Sequence, residues 1–312
     1  MSKIDRVLRS NLKLRHLQLL VALDQFRHLG RAAEFLAVTQ PAVSKTLAEI
    51  ERMLDMTLFE RSTRGTEPTA AGVSMVRFAR SVLAGFERTR DEMAAEASGT
   101  RGRTSVGAMV VATPVLLARA VEQLKARSAQ TTVLVEEGDL TRLLPKLRMG
   151  ELDLFVGRLE PGYASPDLET EALYDEPMVA VVRPGHALLA QPASWQALAD
   201  MPCVMPPPWA SLRVKLEQQF FAHGLHPPAD LVESASFLSQ ISFLHQRGAV
   251  AFMARGVAGH FAQQGLVAVL DLPVPIDLPP VGLITLRGQP MTATTRLLVE
   301  CLRAVGRSLA TR

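Results

Sequence analysis

RAAEFLAVTQPAVSKTLAEIE, residues 31–51, decides how the rest of the chain is read. Arg31 to Ala37 forms a short helix whose paired alanines, Ala32 and Ala33, allow a close helix contact, and Val38 interrupts it. Thr39 then suits an N-cap, and Pro41 in the first turn costs little because its missing N–H has no intrahelical partner there. The spacing predicts a helix over Gln40–Leu54. On it Val43, Leu47, Ile50 and Leu54 fall at i, i+4, i+7 and i+11, one inward stripe, which leaves Gln40, Ser44, Lys45 and Glu49 facing outward. Two short helices joined by a tight turn, the second offering Gln, Ser and Lys near its N-terminus, suit the DNA major groove. Gln pairs with adenine, Lys with guanine or phosphate, Ser with either, and a helix N-terminus favours anions. A solvated helical hairpin has the same pattern, so the flanking sequence must arbitrate.

Upstream, Leu12, Leu14, Leu17, Leu20, Val21, Leu23 and Phe26 recur at helical spacing and predict a first helix of about four turns. Downstream, Leu58-Phe59-Glu60-Arg61, the polar tip Ser62-Thr63-Arg64-Gly65-Thr66 and the return Glu67-Pro68-Thr69 describe a β-hairpin wing. Arg61 and Arg64 there are placed to reach phosphates or the minor groove. Charge agrees with a nucleic-acid partner at this end. Residues 1–65 hold eleven Lys and Arg against seven Asp and Glu, whereas residues 98–312 are balanced at nineteen of each.

From Thr69 to Ala97 no proline occurs, and Val73, Val76, Ala79, Val82, Leu83, Phe86 and Met93 form an apolar band over about seven turns. Pairing with the same helix of a second copy buries such a band, with Val76, Leu83 and Phe86 as seam residues; docking on the same chain is the other possibility. Ser98-Gly99-Thr100-Arg101-Gly102 then reads as a linker. Beyond residue 103 strands alternate with helices. Strands at Ser105–Met109, Thr132–Glu136 and Leu152–Val156, with helices at Pro114–Arg127 and Leu140–Met149, predict a βαβαβ unit with a parallel sheet. A second unit has strands at Met178–Val182, Leu231–Glu233 and Ala249–Phe252 and helices at Ser194–Leu198, Trp209–Ala222, Phe237–Gln246 and Val257–Gln263. The strand Val281–Leu286 and helix Thr294–Leu309 return to the first unit. Two α/β lobes joined by two crossing segments enclose a cleft for a small ligand.

The composition excludes other classes. Two cysteines, Cys203 and Cys301, make no disulfide framework, and no Cys/His cluster has metal-ligand spacing, so neither metal nor cofactor is expected. Buried cysteine usually behaves as a small hydrophobe, which disfavours a thiol redox sensor. No phosphate loop, GxSxG or HExxH motif occurs, so the chain is not expected to be an enzyme. A charged N-terminus and the lack of a long apolar run predict an unexported cytoplasmic protein with no membrane partner. This also separates it from a solute-binding protein of similar sensor fold.

The stretches HLQLLVAL (16–23), RAAEFLAVTQPAVSKTLAEIE (31–51), LFERSTRG (58–65) and PTAAG (68–72) together resemble the bacterial LysR-type transcriptional regulators over essentially the whole chain. GELDLFVGRL (150–159), FMARGVA (252–258) and PVGLITLRG (280–288) are similar to the branch that includes regulators of protocatechuate catabolism and of galactose-binding-protein genes. The resemblance implies a winged helix-turn-helix domain (1–68), a dimerising linker helix (69–97) and an effector-binding domain (98–312) with a periplasmic-binding-protein-like fold. Its first lobe spans about 103–173 and 280–312, and its second about 174–279. It further implies a homotetramer, a dimer of dimers, on double-stranded promoter DNA, acting with RNA polymerase and responding to a small organic effector such as an aromatic-catabolite or sugar-derived acid. The DNA-facing positions it implies are Gln40, Pro41, Ser44 and Lys45, to which the residues themselves add Arg31, Thr39, Arg61 and Arg64. The effector positions it implies are Met109, Val110, Val111, Pro207 and Pro208 and the stretch before the Phe237 helix, with Met-Val-Val standing where many relatives place Ser or Thr; Thr113, Phe237, Ser239 and Phe252 join them at the expected cleft edge. For the strand-end arginines Arg158 and Arg255 two roles are open: binding an anionic effector, or scaffold pairing with a carboxylate such as Asp153 or Glu176.

Overall fold

The computed structural model describes residues 3–62, 65–98, 102–208 and 210–311. Residues 1–103 with 144–153 form one compact unit, and residues 104–143 with 154–312 form another.

In the first unit, three helices, α1 (Leu14–Phe26), α2 (Leu29–Phe35) and α3 (Gln40–Leu54), share one apolar core. Leu20, Leu23, Ala32, Val43, Leu47, Ile50 and Leu58 are all fully buried in it. The helix ends explain the element boundaries. His28 caps α2, its Nδ1 accepting from Gly30 N at 3.0 Å. Thr39 caps α3, its Oγ1 accepting from Ala42 N at 3.4 Å. Between them the chain turns through Ala37, which adopts a left-handed φ of 53°. Val38 N donates to Ala33 O and Ala37 N to Glu34 O, a Schellman closure of α2 with alanine where glycine is usual.

Strands β1 (Phe59–Ser62) and β2 (Gly65–Pro68) pair antiparallel as the predicted hairpin. Its base is tied down from three sides. Glu51 Oε1 of α3 accepts from Leu58 N at 2.7 Å and Phe59 N at 3.1 Å. Thr66 N donates to Arg27 O at 2.9 Å at the end of α1, and Arg27 also pairs with Asp24 and Glu67. Thr69 N donates to Leu58 O, and Thr69 Oγ1 caps the long helix α4 (Ala70–Ser98) by accepting from Gly72 N at 3.0 Å. Arg80 of α4 holds Asp24 of α1 at 3.0 Å. Val76, expected in a seam between copies, is instead buried in this intrachain core, and Leu83 packs partly against it. Phe78, Val82, Phe86 and Met93 remain exposed along α4.

The second unit holds two five-stranded mixed sheets. The first runs β4 (Thr132–Glu137), β3 (Arg103–Ala108), β5 (Leu154–Arg158), β12 (Val281–Leu286), β6 (Leu168–Tyr174). β3 and β5 are parallel as expected, but β12 lies antiparallel to both β5 and β6. Sequence reading missed β6. The second sheet runs β11 (Ala268–Val269), β7 (Met178–Val182), β10 (Val250–Ala254), β8 (Cys203–Met205), β9 (Leu231–Glu233). β10 is parallel to β8 but antiparallel to β7. Successive side chains of β7 and β10 enter two different cores, Met178, Ala180, Phe252 and Ala254 on one face and Val179, Val181, Ala251 and Met253 on the other. That is why these strands read as unbroken apolar runs. The first sheet is covered by α5 (Ala118–Arg127) and the last helix, here α11 (Ala293–Ala310), through Leu124, Leu298 and Leu302. The remaining helices are α6 (Leu140–Arg148), α7 (Trp195–Ala199), α8 (Ser211–Ala222), α9 (Phe237–Arg247) and α10 (Arg255–Gln263).

Two backbone positions should respond to substitution in opposite directions. A Cβ on Gly72 would lie 1.9 Å from Leu58 O, so Gly72→Ala should lower stability by about 1–3 kcal/mol through forced separation of wing and helix. Ala37→Gly should raise it by about 0.5–1 kcal/mol, because relief of left-handed strain outweighs the added freedom of the unfolded chain. Urea midpoints of the two variants measure both effects; equal midpoints would contradict this account of the turn and the wing base.

Candidate DNA-binding face and effector cavity

α3 presents its N-terminal turn to solvent. Gln40, Pro41 and Lys45 are exposed, Ser44 is half-buried, and Arg31 on α2 is exposed. The wing reaches the same face, since Arg61 Nη1 donates to Ser44 Oγ at 2.9 Å. That bond fixes one guanidinium beside the helix and leaves its other N–H groups for an acceptor such as phosphate. Arg64, expected at the wing tip, lies outside the described residues.

In the second unit a cavity of about 500 Å³ opens between the two sheets, well within the range of small-molecule sites. Its walls are the segments that follow strand ends: Met109, Val110 and Val111 after β3, Gly138 to Arg142 after β4, Pro206 and Pro207 after β8, and Ser234 and Ala235 after β9. Of the residues expected at the cleft, Met109, Val110, Val111, Arg158, Pro207, Phe237 and Phe252 line it. Thr113, Pro208, Ser239 and Arg255 are not among its lining residues. Thr113 Oγ1 turns back to Met109 O at 3.4 Å, Ser239 N is taken by the Ser236 cap, and Pro208 and Arg255 are exposed. Trp209, also expected at this edge, lies outside the described residues.

Sequence reading missed Asp139, Thr141, Glu160, Tyr163, Ser211 and Gln240. The location of the first two was legible in principle, because ligands in α/β folds gather beyond the carboxyl ends of strands. Asp139 starts α6, accepting from Thr141 Oγ1 and from Arg142 N at 3.1 Å, and the Thr141 hydroxyl is the main reason its carboxyl stays below the usual range. Glu160 meets the second lobe directly, accepting from Ser211 Oγ at 3.2 Å.

Arg158 closes the floor. It is 7% exposed, and its Nη1 and Nη2 donate to Pro279 O at 2.8 Å and Glu176 O at 2.7 Å. These carbonyls belong to the two segments that cross between the lobes. Arg158 makes neither of the expected carboxylate pairs: Asp153 pairs with Arg88, and Glu176 offers Arg158 its main chain while its Oε1 accepts from Gly256 N at 2.8 Å. Burial lowers the guanidinium's proton affinity, partly offset by the fields of Glu176 and Glu160. Burial likewise raises the Glu176 carboxyl, against the Gly256 bond and the Arg158 charge.

The thiols offer no rival site. Both cysteines are buried, and burial pushes Cys203 up to about 12 and raises Cys301 as well, so neither holds a thiolate at neutral pH. Among the described residues no His, Cys, Asp and Glu group is placed to hold a metal ion, and no helix is long and apolar enough to cross a membrane.

Comparison with known proteins converges with this geometry. Residues 14–73 match the bacterial regulatory helix-turn-helix family of lysR type, and residues 97–307 match the LysR substrate binding domain. The chain is 33% identical over 301 residues to the HTH-type transcriptional regulator GbpR of Azospirillum brasilense, covering 95% of this chain and 87% of that one. It is 30% identical over 293 residues to the HTH-type transcriptional regulator PcaQ of Agrobacterium fabrum, covering 94% of each. The fold superposes on full-length CbnR, solved in complex with its target DNA, with a TM-score of 0.71 at 20% identity, over 94% of this chain and 100% of that one. The chain belongs to the LysR family of DNA-binding transcriptional regulators, proteins that carry a substrate-binding domain and are not enzymes.

Proposed function

We propose that this regulator reads promoter DNA with the exposed turn of α3 and the wing, and changes its grip on DNA when a compact organic molecule enters the cavity of its second unit. One observation carries the sensing half: a cavity of about 500 Å³ whose lining is mostly apolar but includes Arg158, Glu160, Thr141 and Gln240. Such a mixture suits a small, partly apolar effector with at most one or two charges. An aromatic-catabolite or sugar-derived acid fits this description. The lobes need only differ in affinity for the ligand between two states, and about 1–3 kcal/mol of coupling moves DNA affinity measurably.

In this reading residues 1–68 are the DNA-binding domain, 69–97 the linker helix and 98–312 the effector-binding domain. Gln40, Ser44 and Lys45 face base edges, while Arg31, Thr39, Pro41 and Arg61 lie beside phosphates. The exposed stripe Phe78, Val82, Phe86 and Met93 supports pairing of α4 with a second copy, with Val76 replaced as a seam residue by Phe78 and Val82. We extend this to a dimer of dimers working with RNA polymerase in the cytoplasm, where the promoter is.

On DNA, Lys45→Ala should cost about 1–3 kcal/mol of specific affinity. Ser44→Ala and Arg61→Ala should each weaken binding, and the double variant should cost clearly less than their sum, because each loss also frees the other's partner. Fluorescence anisotropy on the operator at two salt concentrations measures this; full additivity would detach the wing from the recognition surface. In the cavity, Val110→Trp should abolish the effector response in a promoter reporter while leaving basal DNA affinity unchanged. A wild-type response in that variant would place the effector elsewhere.

A further inference from the structure

The second-lobe wall of the cavity contains a polar group whose bonding is incomplete. Gln240 lies one turn into α9, is 4% exposed and lines the cavity. Its Nε2 donates to Ser234 O at 3.4 Å, a long bond, and its Oε1 is buried with no hydrogen-bond partner. Since a main-chain carbonyl can only accept, Ser234 fixes the orientation of the amide: the end left over is the acceptor. Three buried side-chain atoms lack a partner among the described residues, on His16, Tyr174 and Gln240, and of these residues Gln240 alone lines the cavity. Several other polar lining groups already have partners; Tyr163 also lines the cavity but is not buried. Arg158 is held by two carbonyls, Asp139 accepts from Thr141 and Arg142, and Glu160 accepts from Ser211.

We propose that Gln240 selects the effector by accepting a hydrogen bond from a hydroxyl or amino group that the ligand presents to the second lobe. The inference rests on the cavity being the effector site. Oε1 is closed off from solvent, so a ligand donor reaches it by a turn of the amide that gives up the long bond to Ser234 O. Leaving a buried acceptor unpaired is costly, whereas an apolar group in the same place costs nothing of that kind, so retention of the amide at this wall fits a partner that arrives with the ligand. The Met109-Val110-Val111 edge of the same cavity is apolar and offers no side-chain hydroxyl for a polar ligand group. The effector class is therefore a compact apolar body carrying at least one donor.

The test uses three matched probes, phenol, anisole and toluene, titrated into the purified full-length protein by ligand-observed NMR. Phenol carries a donor, anisole keeps the oxygen without it, and toluene has neither. Wild type should bind phenol about tenfold more tightly than anisole, a preference expected from one paired acceptor. Gln240→Leu should erase that preference while keeping anisole affinity, and Gln240→Met provides the same comparison if the leucine variant folds poorly. A preference that persists in both variants, or is absent from wild type, overturns the role of Gln240 and assigns its Oε1 to a bound water. Val110→Trp separates the two readings: it should abolish binding of all three probes. If it does not, or if wild type binds none of them, the cavity assignment fails and this inference falls with it.

Discussion

A guanidinium with nowhere to go but two main-chain carbonyls organises the sensor. Arg158 stands at the end of β5, buried, and joins Glu176 O and Pro279 O. These two residues lie on the only two segments by which the chain passes from one sheet to the other, just ahead of β7 and β12. A lysine could not serve both carbonyls from a planar fork, and a neutral side chain would leave both acceptors buried without partners. Arg158 thus ties both crossing segments to the end of β5, beside the cavity between the sheets. Glu176 extends the arrangement by accepting from Gly256 N at the start of α10, so the same short stretch fixes a strand end and a helix start. A Cβ on Gly256 would come within 2.9 Å of Glu176 Oε2, so a larger residue there would displace the end of that side chain.

Much of this was legible in the residues, and the misses have physical causes. α3 spans Gln40–Leu54 as its spacing predicted, because its limits are local: a threonine cap before it and a left-handed Asp55 after it. Strands β7, β9 and β12 were likewise placed at their observed limits, and for β7 and β12 the unbroken apolar run marks a buried strand. β6 was missed because it is an edge strand, with Glu169, Thr170 and Ala172 exposed and its pairing made entirely to β12, more than a hundred residues on. Val76 was assigned to a seam because a helix with two apolar stripes has one period, and periodicity cannot say which stripe meets its own chain. In the cavity, Met109, Val110 and Val111 were expected because the family resemblance implies ligand residues after the first sensor strand. Glu160, Tyr163 and Gln240 were not, since only the approach of separate segments brings them together.

The DNA-facing half follows a different logic, one of shared supports. The wing is not an appendage hung on one hydrogen-bond ladder. Its first strand is held by Glu51 of α3, its second by Arg27 O at the end of α1, and its root by Thr69 at the start of α4. Three helices thus converge on a hairpin of four paired positions. The Arg61 to Ser44 bond adds a link at the contact face itself, so the helix and the wing present one continuous polar surface.

Gly72 packs against Leu58 O so closely that no side chain fits between them, and Thr69 bonds the same carbonyl. The root of the hairpin and the first turn of α4 therefore behave as a gear without backlash. The base of the hairpin and the start of the long helix are thereby spliced into one piece of structure, not hung from a flexible link.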